Sequence, residues 1–458
     1  QIIHGIPMSQ TEFIRLCDFG ISLEVLSPIL SHPKFNNLTN QAKMVQKKKR
    51  LVTLALKKES SVLFEDTGLG QEYELIREQF NKFNSAKVKN EANTWHTKNQ
   101  LIPEEIVNDL AQMGVFGLTV PEIYGGLEFN KLAMCVVSEE LSRGYIGTGS
   151  LGTRTEIASE LILNEGTEYQ KQYWLPKIAS GEVIPAAVFT EPESGSDLGS
   201  IRTFAKKVVD KYLVTGNKTW ITHASRSDLM IVLARTNPNT SLKNKGISIL
   251  LAPKNRGTDK NFFPDKNIEG TEIQVLGYRG MKEFEMRFEN FEVNSSWLLG
   301  GVEDIGFKQL MKTFESARIQ TAARSIGLAQ NALDLAISYA SSRTQFNNQI
   351  INFQRVYNKI ALMIVEIILG RQLVYFAAKN KDQGHRCDLE AGMAKLLCTK
   401  IAWSCADNSL QIHGGNGYAQ EYDISRVFCD ARILNIFEGS SEIQAQIIAK
   451  RILEHGSN

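Results

Sequence analysis

Hydrophobic spacing is the feature that most restricts the fold of this chain, because it changes from a helical period to a strand period and back again. From Gln71 to about Gly181, stretches such as EYELIREQFNKF place apolar residues three and four positions apart, which predicts amphipathic helices. From about Val183 to Trp297, short runs rich in β-branched and aromatic residues, bounded by Gly, Pro, Asn or Asp, predict strands. Helical spacing returns after LLGGVEDIGF. The order predicts an α+β protein of several domains.

A chain of 458 residues is too long for one ordinary core, so we expect four segments. They are a helical extension at residues 1–70, an N-terminal α domain at 71–182, a central antiparallel β domain at 183–300 and a C-terminal helical bundle at 301–458. In the last segment, Ile326, Ala329, Leu333 and Ile337 form one apolar stripe. A second apolar stripe begins at Val356. Long helices that each have one apolar face and are joined by short connections predict a four-helix bundle.

Charge and composition exclude several classes of function. The net charge is +2, from 52 basic and 50 acidic residues, so nothing draws the whole chain to nucleic acid or to an anionic membrane. The most apolar segment, IALMIVEIILGRQLVYFAA, is interrupted by Glu366 and Arg371, which favours a buried bundle helix over a membrane span. Six cysteines without a CxxC pair and seven scattered histidines predict no metal site. This cysteine usage fits a reducing compartment, and we expect a cytoplasmic protein.

Three glycine- and hydroxyl-rich motifs could bind a ligand, although each is also explained by structure alone. The loop AVFTEPESGSDLGS at 187–200 gathers hydroxyls and exposed backbone N–H groups that suit a polar heterocycle or a phosphate, or it is simply a turn-rich loop. In NKTWITHA, Trp220 and Thr222 are two residues apart and share a strand face. They could wall a flat cofactor ring or belong to the core. QIHGGNGY at 411–418 exposes backbone at three glycines, or forms an interhelix turn.

Glu438 in IFEGSSEIQ is the strongest candidate for catalysis. It follows Ile436 and Phe437 and precedes Gly439, and a glutamate seldom lies in apolar company unless it is paired or functional. Apolar neighbours would raise the pKa of its carboxyl and make it a stronger base. The alternative is a helix N-terminal glutamate that acts as a cap or in a salt bridge.

Five motifs together are more specific than any one of them. VFTEPESGSD, KTWIT, SSRTQFNNQIINFQ, QIHGGNGY and FEGSSEIQ occur in the order and at the spacing found in the acyl-CoA dehydrogenase family, which the chain resembles from about Gln71 to its C-terminus. The resemblance implies the helix–β–helix architecture, a noncovalent FAD, an acyl-CoA substrate and a homodimer or homotetramer. It also implies that each subunit helps to bind its neighbour's flavin.

The resemblance also implies roles for individual residues. Glu438 matches the catalytic base. The matches to cofactor-binding positions are Phe189, Thr190, Ser196, Trp220, Thr222, Arg343, Phe346, Gln411, Gly414, Gly415, Ser440 and Glu442. Arg343, Phe346, Gln411, Gly414 and Gly415 would reach the neighbouring subunit's FAD, whereas Ser440 and Glu442 replace the Thr and Gln common in the family. The expected substrate-binding residues are Ser196, Arg154, Glu315, Arg318 and Gly439.

Further stretches, including LGYRGMKEFE and RCDLEAGMAKLL, are similar to the members of the family that oxidise (2S)-methylsuccinyl-CoA to mesaconyl-CoA. That substrate has a carboxylate on the carbon that loses hydride, and Arg154, at the expected start of a helix, is our first candidate to bind it. Pairing of Arg154 with Glu156 is the alternative, and Arg318 is the second candidate. The expected electron acceptor is an electron-transferring flavoprotein. Competing interpretations are a dehydrogenase for another short branched or dicarboxylic acyl-CoA, an acyl-CoA oxidase, and a non-catalytic, flavin-containing relative that associates with DNA.

Overall fold

The computed structural model describes residues 69–239 and 244–455. The predicted helical extension at 1–70 therefore lies almost entirely outside the described residues. Within them, the chain forms helices, then a β-sheet, then helices again, as the periodicity predicts.

The first helical part begins with helix α1, which continues into a π-helical turn at Asn84–Val88. Its helices are α1 (Gln71–Phe83), α2 (Ala92–Thr97), α3 (Glu104–Gln112), α4 (Lys131–Gly144), α5 (Ile146–Glu165) and α6 (Glu168–Ala179). Side-chain caps fix two of the starts. The Asn130 side chain accepts the backbone N–H of Ala133 at the start of α4, and Thr167 and Gln170 form a reciprocal capping box at the start of α6.

The middle of the chain is a seven-stranded sheet with the strand order β1-β4-β2-β3-β7-β6 and with β5 paired to β4. The strands are β1 (Pro185–Val188), β2 (Phe204–Val208), β3 (Lys211–Thr222), β4 (Leu229–Arg235), β5 (Ile247–Pro253), β6 (Ile268–Ile273) and β7 (Glu283–Asn294). The expected antiparallel pairing holds for β2–β3, β3–β7, β4–β5 and β6–β7. The sheet is mixed, however, because β1 pairs with β4 in parallel after a long connection through the β2–β3 hairpin.

The last part is helical and is organised around α7, which is 37 residues long. Its elements are α7 (Gly306–Ser342), a small hairpin of β8 (Thr344–Gln345) and β9 (Asn348–Gln349), α8 (Gln354–Asp382), α9 (Asp388–His413), α10 (Asp423–Leu434) and α11 (Ser441–His455). The predicted stripe on α7 is buried at Ile326, Ala329 and Leu333. One hydrophobic core joins α7, α8 and α9 to α4 of the first helical part, whereas the two faces of the sheet carry separate cores.

Helix α8 contains the apolar segment noted in the sequence. Among the described residues it is the one helix that is long and apolar enough to cross a membrane, and half of its most apolar window is buried inside the structure. A core helix of a folded helical domain meets the same criterion. Arg371 supports that interpretation, because its guanidinium is buried and donates a 2.8 Å hydrogen bond to Glu139 on α4.

The loop between β6 and β7 docks the sheet onto the helices. The backbone N–H of Tyr278 donates to Asp430 on α10 at 2.6 Å, and the Gly280 N–H donates to the Tyr145 hydroxyl at 2.9 Å. A side chain at Gly277 would collide with the backbone of Cys429 and Asp430, at 2.6 Å from the nearest atom. This docking brings the start of β7 next to the turn that contains Glu438.

Candidate active site

Glu438 lies in the short turn between α10 and α11 and has a left-handed backbone conformation, with φ of 53°. Gly439 follows with φ of 86°. Positive φ is costly for a residue with a side chain and is concentrated at functional sites. A Cβ at Gly439 would also lie 2.3 Å from the Gln444 Nε2 atom. The glycine behind the glutamate is therefore required by the turn itself.

Two arginines and a hydroxyl surround the Glu438 carboxylate. Arg154 Nη2 donates to one carboxylate oxygen at 2.8 Å, and Arg324 Nη2 donates to the other at 2.5 Å. The Thr321 hydroxyl donates to the oxygen that Arg324 contacts. The side chains of Glu438, Arg154 and Arg324 are only 11%, 8% and 0% exposed. A buried carboxylate thus meets two buried guanidinium groups.

These partners reverse the expected pKa of the carboxyl. Burial alone would raise the pKa of Glu438, but Arg324, Arg154 and the Thr321 hydroxyl outweigh burial and lower it below its ordinary value. The expected apolar wall is also incomplete, since Ile436 is 53% exposed. Phe437 instead places its ring 5.1 Å from the Arg324 guanidinium. The sequence-based expectation of a raised pKa for Glu438 is therefore wrong.

Arg154 is in the middle of α5 rather than at its beginning, so that part of the prediction is also wrong. Burial would lower its pKa, but Tyr278, Glu438 and Glu283 more than compensate and raise it. Pairing of Arg154 with Glu156 does not occur, because Glu156 accepts instead from Lys131 and the Thr119 hydroxyl. The guanidinium is charged, buried and directed at the candidate base.

Arg324 and Thr321 were not among the residues predicted from the sequence. Arg324 Nη1 also donates to the Ser150 hydroxyl at 2.7 Å, and Nη2 donates to the Thr321 hydroxyl at 2.9 Å. The stretch IQTAARSIG contained a usable signal. An arginine that follows two alanines in the middle of a buried helix requires a buried partner, and Glu438 is the partner.

A second carboxyl lies close to the first. Glu283 begins β7 and its carboxyl oxygens accept the Thr222 hydroxyl at 2.8 and 3.0 Å. Burial raises the pKa of Glu283 to about 8 against the opposing effects of Thr222 and Arg154, and the nearby Glu438 adds to the rise. The pKa values of the two carboxyls are therefore shifted in opposite directions, upward for Glu283 and downward for Glu438, and Arg154 lowers both.

Trp220 lies at a bulge in β3, where the register against β7 shifts between Lys218 and Ile221. Its φ is 57° and its indole is 55% exposed, whereas Thr222, two residues later, is buried. The bulge interrupts strict alternation, so the two-residue spacing does not by itself place both side chains on one face. The exposed indole beside the buried Thr222 leaves an apolar surface free at the edge of the site.

A buried ion pair anchors the loop that follows β1. Lys218 Nζ donates to the Phe189 carbonyl at 2.8 Å, to the Leu233 carbonyl at 2.8 Å and to Glu191 at 2.9 Å. The Thr219 N–H donates to the Thr190 carbonyl at 3.0 Å, which ties the loop to β3 next to Trp220. Phe189 is buried, Thr190 is half-buried and Ser196 is exposed.

The remaining predicted site residues lie either on the exposed surface of the chain or on helices α7 and α11. Arg343, Phe346, Gln411, Gly414 and Gly415 are all exposed in the single chain, with Phe346 92% exposed at the tip of the β8–β9 hairpin. Glu315 and Arg318 lie on α7, where Glu315 accepts from Lys381 at 2.9 Å and the Arg318 guanidinium lies 5.8 Å from the centre of the Phe314 ring. Ser440 and Glu442 are at the start of α11. No group of three or more metal-ligating side chains occurs among the described residues.

An ionised glutamate with a threonine–carboxyl pair close to it can accept a proton, and the exposed indole of Trp220 on the neighbouring strand offers a flat apolar surface. The residues fit a flavin, because Trp220 presents an uncovered indole and the Phe189–Ser196 loop is held next to it. The helix–sheet–helix fold with this site is that of a flavin-dependent acyl-thioester dehydrogenase.

The chain belongs to the acyl-CoA dehydrogenase family. It matches the family's N-terminal domain over residues 70–182, the middle domain over 186–291 and the C-terminal domain over 304–453. Members of this family bind FAD, and the chain is accordingly a FAD-dependent oxidoreductase.

Three similar proteins show which members of the family the chain resembles. The chain is 57% identical over 456 residues to (2S)-methylsuccinyl-CoA dehydrogenase of Cereibacter sphaeroides, covering 99% of this chain and 82% of the relative. It is 36% identical to a 3-(aryl)acrylate reductase of Clostridium sporogenes, covering 84% of this chain and 99% of the relative. The structure of butyryl-CoA dehydrogenase from Megasphaera elsdenii superposes with a TM-score of 0.79 at 29% identity, over 84% of this chain and 99% of that one.

Proposed function

We propose that the chain oxidises (2S)-methylsuccinyl-CoA to mesaconyl-CoA, with Glu438 as the base that removes the α proton. The observation that carries the proposal is the buried contact of Glu438 with Arg154 and Arg324. The 57% identity to a methylsuccinyl-CoA dehydrogenase supports the same substrate. Two buried cations in the reaction site are costly unless anions neutralise them, and this substrate brings one anion of its own.

The two arginines explain how substrate binding could prepare the base. Their contact holds Glu438 ionised but lowers its pKa, which makes it a weak base. A substrate carboxylate that takes over one or both guanidinium groups would release Glu438 from them. Burial would then dominate and raise the pKa of the freed carboxylate. A thioester without a carboxylate would leave Glu438 paired, so the same contact supplies both specificity and activation.

Bound FAD supplies a hydride acceptor for the β carbon. The residues of the chain hold and surround it. Trp220 offers its indole as a wall, and Thr222 is fixed by Glu283. Thr190 and Phe189 are held in place by the contacts of the loop with β3. We assign Ser196 to both cofactor and substrate, and Gly439 to the turn beside the thioester. The exposed Arg343, Phe346, Gln411, Gly414 and Gly415 are assigned to the FAD of a second subunit, in a homodimer or homotetramer.

The electron acceptor is proposed to be an electron-transferring flavoprotein, in the cytoplasm. An oxidase would instead form hydrogen peroxide with the same substrate and no added acceptor. Peroxide formation at the rate of substrate turnover in air would exclude the proposed acceptor.

Anaerobic mixing of the FAD-loaded protein with (2S)-methylsuccinyl-CoA tests the proposal. We expect the flavin absorbance to bleach within one turnover, and expect Glu438→Gln to slow bleaching by about 10²–10⁴-fold while FAD and thioester still bind, because an amide cannot accept the α proton. Bleaching at the wild-type rate in Glu438→Gln would place the base elsewhere. Faster bleaching with 2-methylbutyryl-CoA than with methylsuccinyl-CoA would reject methylsuccinyl-CoA as the preferred substrate.

A further inference from the structure

Lys395 is a buried charge that the proposed function does not use. It lies on α9 and its side chain is 0% exposed. Its Nζ donates to the carbonyl oxygen of Gly439 at 2.7 Å. Among the described residues, no carboxylate forms a salt bridge with it. An ammonium buried against a carbonyl alone is costly, so its position requires an explanation.

The carbonyl that Lys395 contacts belongs to the turn of the candidate base. Glu438 and Gly439 are both left-handed, and the Gly439 carbonyl also accepts from Gln444 Nε2 at 3.1 Å. Two donors from two different helices, α9 and α11, therefore hold one peptide oxygen. Because an isolated left-handed glutamate is strained, such an external restraint is needed to keep the turn in this conformation.

The charges around Lys395 come from three elements. Glu438 faces it from the turn, Arg318 and Arg324 from α7, and Glu442 from α11. Burial lowers the pKa of Lys395 to about 7, Glu438 opposes the decrease, and the two arginines add to it. The ammonium of Lys395 therefore interacts favourably with the Glu438 carboxylate, against the cost of its own burial.

We propose that Lys395 is a positioning residue for Glu438: by holding the Gly439 carbonyl, it fixes the left-handed turn that directs the Glu438 carboxylate into the site. The inference rests on the proposed role of Glu438 as the base. It implies that loss of Lys395 misdirects the carboxylate and removes a cation that interacts with Glu438, without removing any group that contacts substrate.

The test compares FAD-loaded, full-length Lys395→Met, Gln444→Met and Glu438→Gln proteins by anaerobic flavin bleaching with methylsuccinyl-CoA over a range of pH. We expect Lys395→Met to bleach at least about 10-fold more slowly at saturating thioester, with an unchanged thioester dissociation constant and with the acid limb of the rate shifted to higher pH. Gln444→Met removes a neutral donor to the same carbonyl. It should slow bleaching less and leave the acid limb in place.

Two outcomes would overturn the inference: a wild-type bleaching rate in Lys395→Met, or a slower rate with an unmoved acid limb. If Lys395→Met does not fold, Lys395→Gln replaces it, because glutamine keeps a hydrogen-bond donor but carries no charge. For Lys395→Gln, only the shift of the acid limb of the pH–rate profile is used as the test. The same experiment tests the assignment of Glu438 as the base separately. If Glu438 is not the base, the flavin of Glu438→Gln bleaches at the wild-type rate. If the flavin of Glu438→Gln does not bleach but that of Lys395→Met bleaches at the wild-type rate, only the role of Lys395 is rejected.

Discussion

Arg154 has two possible partners during the reaction, and the structure shows the first of them, Glu438. Its contact with Glu438 lowers the pKa of the base, so the ionised carboxylate stabilises the fold fully above its ordinary pKa of 4.5. That contribution is lost as the pH falls through the lower value of the folded state. The proposed second partner is the carboxylate of the substrate, and replacing Arg154 would affect both.

Replacing Arg154 by glutamine should therefore change specificity and pH dependence together. Truncating one partner of a buried charge pair costs about 2–5 kcal/mol, so turnover of (2S)-methylsuccinyl-CoA should fall by roughly 30-fold or more. Turnover of 2-methylbutyryl-CoA, which has the same methyl branch but no carboxylate, should be largely spared. The acid limb of the rate should move to higher pH, because the pKa of Glu438 rises when a neighbouring cation is removed. Equal losses on both thioesters would leave Arg154 a structural role only.

The sequence predicted several of the residues that belong to the candidate site, but it did not predict which of them contact each other. Glu438 and Arg154 were predicted from motifs and from the chemistry of the substrate, yet their direct contact joins residues 284 positions apart along the chain. The sign of the pKa shift at Glu438 depends on that contact and on Arg324. Local spacing cannot reveal it, because it is set by the packing of α5, α7 and the α10–α11 turn.

At the scale of elements, β3 combines a bulge, an exposed tryptophan and a buried lysine within three residues. The runs rich in β-branched and aromatic residues predicted strands in this part of the chain. They did not predict the bulge, because the extra residue appears only in the pairing with β7. The parallel β1–β4 pair was missed for a similar reason, since the direction of pairing depends on the path of a long connection.

The Lys218–Glu191 pair should be the strongest single link between β3 and the loop after β1. We expect Lys218→Met to lower the free energy of unfolding by about 3–5 kcal/mol, because it leaves Glu191 buried without its counter-charge. FAD should also dissociate more readily, as measured by the fluorescence of released flavin. Lys211→Met is the matched control on the same strand, since Lys211 is 38% exposed and its pair with Glu292 should contribute less than about 1 kcal/mol. Similar destabilisation by both replacements would contradict the proposed anchoring.

At the scale of the whole molecule, the predicted cofactor residues fall into two groups. Thr222 bonds to Glu283 near Glu438, and the Phe189–Ser196 loop is tied to the same strand next to Trp220. In the second group, Arg343 and Phe346 occupy an exposed hairpin, and Gln411, Gly414 and Gly415 lie exposed at the end of α9 and in the turn after it. A phenylalanine that is 92% exposed at φ of 48° is costly on a free surface. Both observations are explained if the hairpin inserts into a neighbouring subunit next to its FAD.

Arg343→Ala tests this arrangement because it should leave the subunit folded while weakening its hold on a partner's cofactor. We expect the variant to lose FAD progressively on dilution, since binding that depends on a second subunit depends on protein concentration. Sedimentation and flavin absorbance measured on the same dilution series should fall together, whereas far-UV circular dichroism should not change. Arg287→Ala removes an arginine that is 63% exposed on β7 and should keep its flavin at every concentration. If Arg343→Ala retained full flavin at the lowest concentration, the hairpin would not be part of a shared site.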